Sequence, residues 1–249
     1  MRQSVLPLFF GIVTLFLVWA GISKCVPEMA FPGPKAVCSA LMDSVDIHAP
    51  NAVVTALEAG GGLIIAAFGS AVIVMIIGLF PRAEAFFYPA VTLLKASPVV
   101  AFVPVFIVLV GFGAACKVLV SALIAFFPLV IGGVDGLRKT PERLLIMAEG
   151  YGVTRFDRFR YVTQRYAWLG FLSGLKTAAP LSVVGAIVGE YVAGGLPYGL
   201  GQFIMSQTTR TNMTQVFAAA LVASVIGMLF FLIAFIVCWG VESRSHVDK

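Results

Sequence analysis

Long runs of apolar residues constrain this chain more than any other feature of its sequence. A clear example is GGLIIAAFGSAVIVMIIGLF at residues 61–80. A run of about 20 such residues is long enough to cross the hydrocarbon core of a bilayer as a helix. Hydrophobic residues make up 60% of the chain and the mean hydropathy is +1.00, whereas soluble domains are about half apolar. We therefore predict an all-α membrane protein and exclude a soluble globular domain.

The hydrophobic pattern predicts six membrane-spanning helices in a single transmembrane domain, residues 1–249, with a core at about 52–240. We expect the first span to be retained as an anchor, because it is long for a signal peptide and lacks a small-x-small cleavage site. The predicted spans cover residues 5–23, 56–80, 88–112, 115–136, 167–192 and 214–240.

Lysine and arginine are distributed unequally between the loops on the two sides of these spans. Positive residues gather on the cytoplasmic side of membrane proteins, which predicts a multi-pass protein with both termini in the cytoplasm. The cytoplasmic side then holds Arg2, Arg82, Arg138, Lys139, Arg143, Arg155, Arg158, Arg160, Arg165, Arg244 and Lys249. The outer side holds Lys24, Lys35, Lys117 and Arg210, and the predicted spans contain Lys95 and Lys176.

The longest cytoplasmic loop, residues 137–166, carries signals of ordered structure. Thr140-Pro141-Glu142 reads as a helix N-cap, a proline at the first helical position and an acid in the first turn. Gly150 and Gly152 follow a short helical stretch, as glycines that end helices do. We therefore predict a short helix followed by a glycine break.

A second short helix is predicted to start at Thr154, because Thr154-x-x-Asp157 is a variant of the capping box. Phe156, Phe159 and Val162 are spaced three apart and form an apolar strip beside the arginines of this segment. Two interpretations are open. The segment either lies on anionic lipid headgroups, which arginine and aromatic residues favour, or projects into the cytosol to dock another protein.

This loop resembles that of the permease subunits of bacterial ATP-binding-cassette importers, in the binding-protein-dependent inner-membrane class. The loop of that family has the pattern E-A-A, three residues, Gly, and later I-x-L-P. Here Ile146-Met147-Ala148 is followed after three residues by Gly152, and Val162 lies at the later Ile position. Only the second Ala of the triplet is kept, and Gln164-Arg165 replaces Leu-Pro.

Three further segments are similar to the nitrate, sulfonate and taurine branch of that family. KASPVVAFVPVFIVLVGFG at 95–113 resembles its proline-rich third helix. A second pattern of that branch is a helix of small residues, then a glutamate, then Gly-Leu-Gly. It is matched at residues 174–201 by GLKTAAPLSVVGAIVGEYVAGGLPYGLG. FPGPKAVCSALM at 31–42 resembles its periplasmic segment. The resemblance covers about residues 30–240.

The resemblance implies a type I importer permease fold with a cytoplasmic coupling-helix loop at 137–166. It implies that the chain pairs with a second permease subunit, expected to be a homodimer, within lipid. ATP-binding-cassette ATPase subunits would bind the loop. A periplasmic binding protein would deliver a small solute, either of the sulfonate, taurine or nitrate type or a vitamin precursor. The expected ATPase-coupling residues are Ala148, Glu149, Gly152, Thr154, Arg155, Phe156, Arg158 and Phe159.

The chain is not expected to catalyse a reaction or to bind nucleic acid. It lacks the phosphate-binding pattern G-x-x-x-x-G-K-[ST], so ATP and Mg²⁺ are expected on the partner ATPase and no cofactor is expected here. Four cysteines form no metal-binding pattern. Cys25 and Cys38 fall in the outer loop, where an oxidising periplasm permits a disulfide, and both the bonded and the free state are open.

Prolines, a lysine and a glutamate inside the spans are the candidates for a substrate pathway. Proline bends a membrane helix, either to shape a cavity or simply to pack. Glu190 and Glu58 near the outer side either face a pathway or pair with basic or backbone donors. Gly185-x-x-x-Gly189 allows close helix approach within or between subunits. The candidate pathway residues are Pro98, Pro104, Lys176, Glu190 and Tyr191.

Two other classes of function are compatible with a helical membrane protein. An ion-coupled secondary transporter usually shows an internal repeat or more buried charge, and the six predicted spans show neither clearly. A non-transporting membrane assembly protein would explain the apolar helices but not the glycine-broken cytoplasmic element. The sequence therefore favours an importer subunit at the inner membrane.

Overall fold

The computed structural model describes residues 5–245, and no β-strand occurs within this range. Short 3₁₀ turns lie at Pro81–Ala83 and Val99–Phe102, and a π-helical turn at Phe159–Thr163. The helices are α1 (Val5–Cys25), α2 (Pro34–Asp43), α3 (Val45–Leu79), α4 (Glu84–Ala96), α5 (Val103–Val110), α6 (Ala114–Arg138), α7 (Glu142–Gly150), α8 (Arg155–Arg158), α9 (Gln164–Ala193), α10 (Leu200–Thr209) and α11 (Met213–Ser245).

Four helical segments within the described range are long and apolar enough to cross a membrane, and a fifth crossing is possible if one bent pair counts as a single span. The apolar part of α1 at Val13–Cys25 is shorter than these. Of the six predicted spans, the structure therefore supports four, and a fifth where the bent pair is counted as one span. The four long spans are α3, α6, the continuous stretch Arg155–Ala193, and α11 as far as Val241.

The predicted third span at 88–112 is not one helix. It consists of α4 and α5, which meet at an angle of 99°. Pro98 lies at this break, and Pro104 stands in the first turn of α5. Proline lacks a backbone N–H and disfavours a helical conformation in the residue before it, which accounts for the break. The sequence indicated a bend at these prolines but not its size.

The helices differ from the prediction in three ways. The second span begins at Val45, eleven residues earlier than predicted, and tolerates Pro50 in its second turn. The outer segments that were not assigned to helices contain α2, with Pro34 at its first position, and α10. The helix that starts at Arg155 runs without interruption into the fifth span. The separate second helix predicted in the loop is therefore the first turns of that span.

Close packing of α6 against α9 forms the centre of the molecule. A β-carbon added at Gly132 of α6 would lie 2.6 Å from the carbonyl oxygen of Gly170 and 3.0 Å from Cα of Gly174 on α9. Farther along the same seam, a β-carbon at Gly185 would lie 2.6 Å from Cα of Ser121. The Gly185-x-x-x-Gly189 pattern thus packs within the subunit, as small residues do where membrane helices approach closely.

The remaining helices enclose this pair. Ala59, Val183 and Ala219 belong to a buried cluster that joins α3, α9 and α11, while Val74 and Val134 belong to one that joins α3 and α6. The C-terminal ends of α3 and α6 meet α7 and the Arg155 end of the long helix, and we call this the arginine-rich end. The other ends of these helices meet α10 at the opposite end. Cys25 and Cys38 are exposed free thiols there.

Candidate functional site

A groove of about 440 Å³ lies at the arginine-rich end, between α7 and the first turns of the helix that starts at Arg155. We call it the loop groove. Its walls carry both apolar and charged side chains, a composition typical of a protein-docking surface. The lining residues are Leu144, Met147, Ala148, Tyr151, Val153, Asp157, Arg158, Tyr161, Val162, Arg165 and Tyr166.

Local capping fixes the two walls of the loop groove. The Thr154 hydroxyl accepts a hydrogen bond from the Asp157 backbone N–H at 3.2 Å and donates to the Asp157 carboxylate at 2.6 Å. This arrangement confirms the predicted N-cap at Thr154. The Asp157 carboxylate bonds the Thr154 hydroxyl, whereas in a full capping box it would bond the Thr154 backbone N–H. Gly152 adopts φ +64°, a conformation that favours glycine, and forms the break after α7. The predicted cap at Thr140 is wrong by one residue, because Pro141 occupies the N-cap of α7.

The two predicted docking phenylalanines have different environments. Phe156 is 55% exposed, next to the loop groove. Phe159 is half-buried, and its ring occupies the space that a side chain at Gly78 of α3 would need. The prediction that both rings belong to one exposed apolar strip is therefore wrong. Residues three apart on a helix differ by about 60° around its axis, which is enough to turn Phe159 inwards and leave Phe156 outside.

The other predicted coupling residues lie around the same groove. Ala148 is buried in the wall formed by α7. Glu149 is mostly exposed and forms an ion pair with Arg158 at 3.4 Å, which connects α7 to the long helix. Arg155 is exposed at the first turn of that helix. Phe159 apart, the structure thus brings the predicted residues of this loop together on one surface.

A second group of polar side chains lies buried at the opposite end, and we call it the Lys117 cluster. Lys117 has no exposed surface. Its ammonium donates hydrogen bonds to the carbonyl oxygens of Gly195 (3.2 Å) and Pro197, and to Oε1 of Gln202 at 2.9 Å. Its Nζ also lies 3.4 Å from Oε1 of Glu58. The cluster consists of Thr55, Glu58, Lys117, Glu190 and Gln202.

Glu190 belongs to this cluster and has no exposed surface. Its carboxylate accepts hydrogen bonds from the Thr55 hydroxyl at 2.7 Å and from the backbone N–H of Gly201. Thr55 in turn accepts the backbone N–H of Leu200 at 2.9 Å. Thr55 and Glu190 therefore satisfy two backbone donors in the first turn of α10, where negative charge is favourable. The alternative of a glutamate paired with backbone donors is the one that the structure supports.

The predicted pathway residues do not form one site. Glu190 and its exposed neighbour Tyr191 lie at the opposite end, whereas Lys176 lies about 21 Å away along α9, at about 1.5 Å per residue. The Lys176 ammonium faces the Phe235 ring of α11 at 5.7 Å. Lys176 therefore lies near the middle of the long helix Arg155–Ala193. Pro98 and Pro104 lie on the separate bent segment.

Lys117 is the residue that the sequence prediction misplaced. It was counted among the outer loop charges, yet it is a buried residue in the first turn of α6. Its partners lie at positions 58, 195, 197 and 202, so no local pattern reveals the pairing. One signal was available: isolated charges next to apolar runs are costly in a membrane protein and are usually paired. Glu58, Lys117 and Glu190 are charges of this kind.

Comparison with known families decides the class of protein. Residues 62–238, well over half of the chain, match the family described as "Binding-protein-dependent transport system inner membrane component". The chain belongs to this family. The matched range includes the loop groove and most of the Lys117 cluster.

Individual relatives agree with this assignment. A probable ATP-binding-cassette transporter permease protein of Haemophilus influenzae is 29% identical over 87% of this chain and 89% of its own length. The formylaminopyrimidine transport permease protein ThiX of Halalkalibacterium halodurans is 33% identical over 60% of this chain and 59% of its own length. This family member is therefore a multi-pass membrane transport permease.

A solved structure supports the fold. The chain is similar to a chain of the MetNI methionine ATP-binding-cassette transporter in an inward-facing conformation, with a TM-score of 0.56 and 17% identity. The match covers 78% of this chain and 98% of that one. The all-α architecture is thus the type I importer permease fold that the sequence predicted.

Proposed function

We propose that this permease forms the solute pathway of an ATP-driven importer, together with a second permease subunit. ATPase subunits dock in the loop groove at the cytoplasmic, arginine-rich end, and a periplasmic binding protein delivers solute to the opposite end. The observation that carries this proposal is the continuity of the helix Arg155–Ala193, which begins at the loop groove and is long and apolar enough to cross the membrane.

The continuous helix supports mechanical coupling. A flexible linker between a docking element and a span would absorb a movement of the partner. Here the exposed first turn at Arg155–Arg158 continues through a π-helical turn into α9, and Phe159 rests against Gly78 of α3. A displacement of the docked turn therefore moves α9 and presses on α3.

Exposed apolar side chains around the loop groove favour a protein partner over a lipid surface. Ile146, Met147, Tyr151 and Phe156 are all exposed, and the first three lie on or directly after α7, a nine-residue helix too short to span the membrane. Contiguous exposed apolar groups with a polar rim usually mark an interaction site. Glu149, Arg155 and Arg158 supply that rim.

The charge distribution supports the proposed orientation. The predicted cytoplasmic side carries eleven basic residues against four outside, and Lys117 leaves the outer group because it is buried. The excess on the predicted cytoplasmic side is therefore larger than the sequence count suggested, and positive residues favour the cytoplasmic side.

We propose a small organic solute as cargo. The resemblance to the sulfonate, taurine and nitrate branch and the similarity to a formylaminopyrimidine permease leave two classes: small anions and vitamin precursors. The chain is 33% identical to the formylaminopyrimidine permease, which favours a heteroaromatic vitamin precursor as the cargo. Thermal-shift screening of the cognate binding protein against both classes tests this, and stabilisation only by sulfonates or nitrate would overturn it.

The docking proposal is tested by replacing Phe156 with alanine. An exposed aromatic anchor that becomes buried in a partner often contributes about 2 kcal/mol or more, which corresponds to at least a tenfold loss of affinity. We expect Phe156→Ala to weaken binding of the cognate ATPase to the purified permease at least tenfold, measured by titration in lipid nanodiscs. Insertion and thermal stability should stay as in the wild type, since the ring is exposed in the isolated chain.

Phe86→Ala is the matched control, because Phe86 is an exposed phenylalanine on α4 that does not line the loop groove. Its ATPase affinity should stay within about twofold of the wild type. Unchanged ATPase binding in Phe156→Ala, with affinity that depends instead on the anionic lipid content of the nanodisc, would show that the segment lies on the membrane.

A further inference from the structure

The buried bonds of the Lys117 cluster converge on one short segment. Lys117 binds carbonyl oxygens of Gly195 and Pro197 in the turn between α9 and α10, and the side chain of Gln202 in α10. Thr55 and Glu190 accept the N–H groups of the first α10 turn. Side chains from α3, α6 and α9 therefore all hold the segment 194–202, which joins α9 to α10.

Burying the charged side chains of the Lys117 cluster costs free energy unless each charge has partners that replace water. Lys117 and Glu190 have no exposed surface, and Glu58 is almost as deeply buried. An ammonium that is removed from water without partners is strongly destabilised. The three acceptors and the Glu58 carboxylate around Lys117 compensate for that loss. The ammonium therefore holds the turn in one place as long as it stays buried.

The neighbouring turn between α5 and α6 leaves the held segment no room to move towards it. A β-carbon at Gly195 would lie 2.9 Å from the backbone nitrogen of Gly113, and one at Gly113 would lie 2.9 Å from the carbonyl oxygen of Leu196. Both glycines adopt positive φ angles that other residues rarely adopt. The two turns thus pack backbone to backbone at the opposite end.

We propose that Lys117 is a positioning residue for transport: it fixes the α9–α10 turn and α10 to α6 and, through Glu58, to α3. The opposite end then moves as one body with α6 and with α9, which packs against α6. The expected effect on transport rests on the proposed importer function, whereas the fixing of the turn by Lys117 does not depend on it. In an importer, a signal from the binding protein at this end has to reach the ATPases through α9. Loosening the turn would interrupt that signal without altering the loop groove.

The structural part is tested by amide hydrogen exchange on purified protein in detergent. Lys117→Met removes the three hydrogen bonds to the segment and keeps the approximate length of the side chain. We expect exchange of the backbone amides of Leu200 and Gly201, and of the rest of segment 194–202, to speed up by about tenfold or more. Exchange along the α6–α9 seam should change by less than about twofold.

Three further variants make the test specific. Gln202→Met removes one of the Lys117 bonds with an uncharged residue and should accelerate exchange in the same segment, which keeps the test valid if Lys117→Met does not fold. Glu58→Gln retains an oxygen for Lys117 and leaves its bonds to the turn intact, so it should have the smaller effect. Lys24→Met, an exposed lysine at the end of α1, is the control and should have none.

The functional part is tested on the complex with its ATPase and binding protein. We expect Lys117→Met to keep the basal ATPase rate and to lose most of the stimulation by loaded binding protein. Wild-type exchange rates in 194–202 for both Lys117→Met and Gln202→Met would overturn the positioning role, as would a Glu58→Gln effect equal to that of Lys117→Met. Normal stimulation despite faster exchange would overturn its role in transport. A wild-type complex without any stimulation would instead contradict the proposed function, and the exchange result would still stand.

Discussion

Replacing Gly132 with alanine adds one methyl group to the seam between α6 and α9. The added carbon would lie 2.6 Å from the carbonyl oxygen of Gly170, and 3.0 Å from both Cα and the nitrogen of Gly174. All three neighbours are backbone atoms, so no side chain can rotate away. Ordinary contact begins at 3.4 Å, and the two helices must therefore separate by about 0.8 Å (3.4 − 2.6) along this line.

Such a separation has a cost that can be estimated. Overpacking a close-packed interior typically costs about 1–3 kcal/mol, and alanine recovers at most about 1 kcal/mol through its higher helix propensity. We expect a net loss of about 1–2 kcal/mol. For a chain of this size, 1 kcal/mol corresponds to about 2–4 °C in Tm, so Gly132→Ala should unfold about 2–8 °C below the wild type. Thermal unfolding in detergent, followed by the fluorescence of the three tryptophans, measures this shift.

Gly227→Ala in α11 is the matched control. It is the same substitution in another membrane-spanning helix, and a β-carbon there meets nothing within 4 Å. The control should unfold at the wild-type temperature or slightly above it. If Gly132→Ala is as stable as the wild type, or if both variants lose the same stability, then the seam does not depend on backbone contact between α6 and α9.

Two further predictions concern orientation and energy supply. Labelling is done in a variant whose exposed Cys25 and Cys38 are replaced by serine. A cysteine introduced at the exposed position Glu149 should react with an impermeant maleimide only from the cytoplasm, and one at the exposed Met42 only from outside. The reverse labelling pattern would invert the proposed orientation. The permease purified alone in lipid should not hydrolyse ATP, because its sequence lacks a phosphate-binding loop, and turnover that persists after removal of every ATPase subunit would disprove the proposed division of labour.

Local and periodic features were predictable from the sequence. Apolar runs define the cores of α3, α6, α9 and α11, because a helix in lipid must be apolar over about 20 residues. The Thr154 cap and the glycine break at Gly152 were predictable since both depend on neighbours within a few residues. The close packing at Gly185 followed from residue size.

Features that depend on distant neighbours were not predictable. The orientation of Phe159 is set by Gly78, about 80 residues earlier in the chain. The role of Lys117 is set by acceptors that follow it by about the same separation. α10 was missed because its sequence, LGQFIMSQTT, is too short and too polar to resemble a span, and its first turn is held by side chains of α3 and α9. In each case, the deciding contact joins segments whose proximity only the fold creates.

The loop groove and the Lys117 cluster are connected by the same pair of helices. The helix from Arg155 to Ala193 has 39 residues and is therefore roughly 58 Å long. Pro180 interrupts its hydrogen bonding near the middle, and a proline kink there would absorb a push from one end. However, close contacts with α6 lie on both sides of Pro180, at Gly174 before it and Gly185 after it. Because both halves of the helix are held against one partner, α6 and α9 should move together, and displacement at the loop groove should reach the segment that Lys117 holds.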